Sequence, residues 1–165
     1  MKVFTQGRSR YFTLQTVSSD IMPHAVYVFI DMVDRKMWDN STIVYTGYSN
    51  LELVPNSPDG YSLEGDNSNT KLAFSELSNK FSEERNTIGF TEKGVALNLN
   101  GNSRFHSSGD ENERSIFARV IIGLSTLSFM KQESIAKNIE STVIESIMIV
   151  QISDDRLQQY GVNPL

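Results

Sequence analysis

The chain has 165 residues, a formal net charge of −5 and 39% hydrophobic residues. That length suits one domain with a core of its own, needing no covalent or metal staple. It contains no cysteine and two histidines, which excludes disulfides, thiol nucleophiles, iron–sulfur clusters and cysteine zinc sites, and leaves little for histidine-based designs.

The opening MKVFTQGRSRYF carries Lys2, Arg8 and Arg10 with no apolar run behind them. No secretory leader is expected, and no later stretch approaches the roughly 18 uncharged apolar residues of a membrane span. The expectation is a soluble, cytoplasmic protein. Lys2–Thr5 and residues 10–16 read as two short β-prone pieces around Gly7.

The clearest helix follows. Ser18, Ser19 or Asp20 could cap it, and Pro23 suits a first turn, where its missing N–H costs nothing. Met22, Ala25, Val26, Phe29, Ile30, Val33 and Met37 recur at helical spacing, which predicts one buried stripe and a helix ending near Trp38. Residues 42–48, 51–54, 61–64 and 71–74 read as strands, with a strong Pro- and Asp-Gly-containing turn at 55–60. Residues 75–84 suit a short helix, and 87–91 with 95–99 a hairpin turning at Gly94.

Residues 100–111, NGNSRFHSSGDE, form the longest polar stretch. Beyond it, Ile116, Phe117, Val120, Ile121, Leu124, Leu127 and Phe129 predict helix from 112 to about 137, either kinked or broken near Gly123. Residues 142–152 read as a buried β-branched strand placed centrally in a sheet, and a short last helix begins near Asp154. The methionines, Met148 included, read as core filler rather than a binding surface. The fold expected is therefore α+β: a single domain over residues 1–165, mainly antiparallel sheet packed against two or three helices.

Candidate chemistry is sparse. Asp31 and Asp34 share a helix face and could serve as an acid–base or cation-binding pair, or simply be a wet surface charged opposite Arg35 and Lys36. Tyr27 and Trp38 flank them and suggest a partner-binding face, since both residue types are enriched at interface hot spots. Arg104 and His106, in a polar loop leading to a predicted helix start, are the first candidates for an anion site. The acidic residues Asp110, Glu111 and Glu113 nearby oppose that reading, and a plain surface loop explains the same pattern. Three Ser-x-x-Lys matches arise among 21 serines without companion motifs and carry no weight. No phosphate-loop, metal-binding or dinucleotide motif occurs, so neither a cofactor nor a metal is expected.

From Met37 to Thr70 there is no lysine or arginine, while Asp39, Glu52, Asp59, Glu64 and Asp66 are acidic. Such a face steers basic partners and disfavours nucleic acid. The leading expectation is a small acidic protein-binding module (an inhibitor, immunity or regulatory protein) that occupies a partner's surface through Tyr27, Trp38, Glu52, Asp59, Glu64 and Asp66. On this reading the chain leans away from being an enzyme. The alternatives are a small enzyme acting on a phosphate- or carboxylate-bearing molecule, with His106, Arg104, Asp31 and Asp34 as its groups, and a self-associating structural subunit.

Overall fold

The computed structural model describes residues 1–45, 50–54, 72, 74, 76–77, 84–91, 94–99, 115–135 and 142–150. The chain begins with β1 (Lys2–Thr5), in which Val3 and Thr5 are buried and Phe4 points out, the period-two pattern of a half-buried strand. Gln6 and Gly7 both take positive φ, 51° and 68°, the geometry of a two-residue hairpin turn matched to strand twist. They lead into β2 (Arg8–Tyr11), which pairs back on β1 with Thr5 opposite Arg8.

After the buried Phe12 the same stretch of chain continues as β3 (Thr13–Thr16) but changes partner, pairing with β8 (Ser115–Ile122). The remaining strands are β4 (Ser41–Tyr45), β5 (Asn50–Val54), β6 (Thr87–Thr91), β7 (Gly94–Asn98) and β9 (Thr142–Ser146). Their order is β2-β1-β9-β4-β5-β7-β6-β8-β3, every ladder antiparallel. The two ends of that order, β2 and β3, are halves of one continuous stretch, so the sheet closes on itself into a nearly complete barrel. Register shifts at Lys2/Val3, Thr13/Leu14 and Ile88/Gly89 supply bends that closure requires.

This corrects the expected fold class: the sheet is a barrel wall with two helices, not a layer packed against two or three. The hairpin at 87–99 forms, as β6 and β7. The helix expected over 112–137 does not. Its first part is β8, and only Leu124–Ile135 is helix, α2. Ser115 to Ala118 are buried in succession and so are all five residues of β7, so the wall is covered on both faces and the two-residue alternation that marks a strand is erased. The strand expected over 142–152 is shorter, β9, and lies between β1 and β4; residues 147–150 continue without a ladder. Leu72, Phe74, Glu76 and Leu77 are neither strand nor helix. The strand expected at 61–64 and the helix near Asp154 lie outside the described residues.

The helix α1 (Pro23–Asp34) buries Ala25, Val26, Phe29, Met32 and Val33. It stops four residues before the expected end. Lys36 adopts φ +57° and its N–H donates to the Val33 carbonyl, while Met37 N–H donates to Met32 at 3.0 Å. This paired closure ends a helix by a left-handed residue and turns the chain inward, carrying Met37 and Trp38 into the core. Trp38 is 0% exposed, 5.8 Å from the Phe29 ring; Phe29 in turn meets Phe117 at 4.9 Å, and Phe117 meets Phe90 at 5.1 Å. On the other side α2 packs against β1, β4 and β9, and the Arg10 guanidinium of β2 sits 3.7 Å over its Phe129 ring. Met22, Met32, Met37 and Met130 are buried as expected, but Met148 is 77% exposed.

Candidate functional site

Two places on the described surface combine unusual chemistry with a definite geometry. The first is the start of α1. Its N-cap, Met22, offers no side-chain acceptor, and Ser18 accepts from Asp20 N–H instead of from the helix. The free N–H groups of the first turn are taken by a distant carboxylate: Glu76 accepts from His24 N–H at 3.3 Å and from Ala25 N–H at 2.8 Å. Negative charge at this end also suits the helix dipole. The N–H of Glu76 donates to Ser115 Oγ at 2.7 Å, which ties the segment to β8. Phe74 stacks on the His24 ring at 4.4 Å and 12°. Among the described residues His24 Nε2 is buried without a hydrogen-bond partner, while Phe74, Leu77 and Tyr27 are exposed.

The second is an apolar groove of about 750 Å³, within the range of ligand-binding clefts. Its walls are β3 on one side and residues 146–150 on the other, with Met1 and Lys2 at one end. Phe29, Ile30 and Val33 of α1 line it, joined by Tyr11, Leu14 and Met148. Ile30, read as part of the core stripe, is half-buried because it faces this groove. Among the described residues Lys2 is the one charged lining side chain, and Glu145 pairs with it at 3.3 Å. A hydrogen bond from Ser9 and the adjacent Lys2 hold the Glu145 carboxyl below its ordinary value.

The residues singled out from sequence fall elsewhere. Asp31 is bonded to Arg35 at 2.9 Å, an i,i+4 ion pair, and Asp34 is exposed beside it. Tyr27 is 69% exposed but Trp38 is fully buried, so no common Tyr27–Trp38 face exists. Glu52 is half-buried on β5, opposite Val44 and Ala96 in register. Asp59, Glu64, Asp66, Arg104 and His106 lie outside the described residues. Glu76, Phe74 and the groove lining were not anticipated: a helix cap delivered from 51 residues away leaves no local pattern. Among the described residues no group of three His, Asp or Glu side chains could hold a metal, and no helix is long and apolar enough to cross a membrane.

No protein-family model and no curated protein sequence matches the chain. Solved structures do. A cyclophilin-type peptidyl-prolyl cis-trans isomerase from Cryptosporidium parvum, crystallised in the presence of the dipeptide Ala-Pro, superposes with a TM-score of 0.64 over 92% of this chain and 98% of that one, at 13% identity. The fold is thus a cyclophilin-like barrel. This likeness to an enzyme's fold overturns the expectation of an α+β inhibitor, immunity or regulatory module leaning away from catalysis.

Proposed function

We propose that this chain binds proline-containing polypeptide segments and accelerates cis–trans isomerisation of their X-Pro bonds. The observation that supports this reading is the barrel itself, matched over nearly the full length of both chains to an isomerase.

The chemistry asks little of a protein in covalent terms. Rotation about a peptide C–N bond is opposed by resonance, with a barrier of about 18–20 kcal/mol, and the uncatalysed X-Pro exchange takes tens to hundreds of seconds. The planar ground state is the more charge-separated one, so removing water and fixing the flanking backbone favours the twisted state. The groove of about 750 Å³, with Tyr11, Leu14, Ile30 and Met148 around it and Lys2 paired to Glu145, suits an apolar segment that carries a pyrrolidine ring. Net charge −5 favours polypeptides with basic flanks, through the sign of the overall field.

The test is exchange spectroscopy by NMR on a short Ala-Pro peptide with and without the full chain. Acceleration of cis–trans exchange that scales with protein concentration is expected. Exchange at the uncatalysed rate with the protein in excess would end the reading.

A further inference from the structure

We draw no further inference here: the strongest candidate, the apolar groove between β3 and residues 147–150 that Phe29, Ile30 and Val33 of α1 line, belongs to the site already described, and nothing among the described residues shows what covers it.

Discussion

Replacement of Gly123 by alanine tests how the barrel wall is closed. Gly123 joins β8 to α2 with φ +85°, and a Cβ built there comes within 2.8 Å of Phe12 Cα and Cβ and closer still to the Tyr11 carbonyl oxygen. Those atoms belong to the corner where β2 hands over to β3, a backbone that cannot move without disturbing two ladders. Gly7 is the internal control: its φ is +68°, and nothing lies within 4 Å of a Cβ placed on it. A left-handed alanine alone costs about 1–2 kcal/mol, which is the whole expectation for Gly7→Ala. Gly123→Ala adds the overlap with fixed backbone, about 1–3 kcal/mol on the scale of overpacked sites. The two variants should therefore differ by about 2 kcal/mol, or roughly 4–8 °C in Tm for a chain of this size. Urea unfolding followed by the fluorescence of Trp38, the sole and fully buried tryptophan, gives both free energies. Equal losses in the two variants would show that the close approach at Phe12 carries no energy and would refute the steric account of the corner.

Glu76→Ala should destabilise by about 1–2 kcal/mol, the scale of a lost helix cap, because it frees the N–H groups of His24 and Ala25 at once. Glu76→Gln should recover part of that, and a Glu76→Ala variant as stable as the parent in urea would contradict the cap. Glu145 supplies a pH signature: its folded carboxyl sits below the ordinary 4.5 through the Ser9 hydrogen bond and Lys2. A depressed folded value favours the folded state above the unfolded one, and the advantage is lost as the pH falls through the folded value. Stability curves of the parent and Glu145→Gln should separate above about pH 5 and converge in acid; curves that stay parallel would remove this contribution.

What could be read in the sequence was what local chemistry determines. Pro23 marked the start of α1, and the turn at Gly94 placed β6 and β7. The errors have one physical source, partners far away in sequence. Burial on both faces of the wall made Ile116, Phe117, Val120 and Ile121 resemble a helical stripe. A left-handed lysine at position 36, where glycine is the usual signal, concealed the end of α1 and so put Trp38 on a surface it does not occupy. The candidate groups read from composition, Asp31 and Tyr27 among them, belong to a solvent face of α1. The groove arises where residues 13–16 face residues 147–150, and no periodicity in either stretch announces it.

The corner at Phe12 also sets an order of events. β3 must find β8, with Thr13 opposite Ile122, and β1 must find β9, with Lys2 opposite Ser146. Both closures join the first residues of the chain to partners more than a hundred residues later. Contacts of such separation are slow to form, because loop entropy is lost before they reward it. On a ribosome the β1–β2 hairpin and the start of α1 are made early and wait with one flank open until residues 115–122 and 142–146 emerge. The flank that waits includes Val3, Phe12 and Phe29, all buried in the finished barrel, so the nascent chain is most prone to aggregation in the interval before its last wall strand is synthesised.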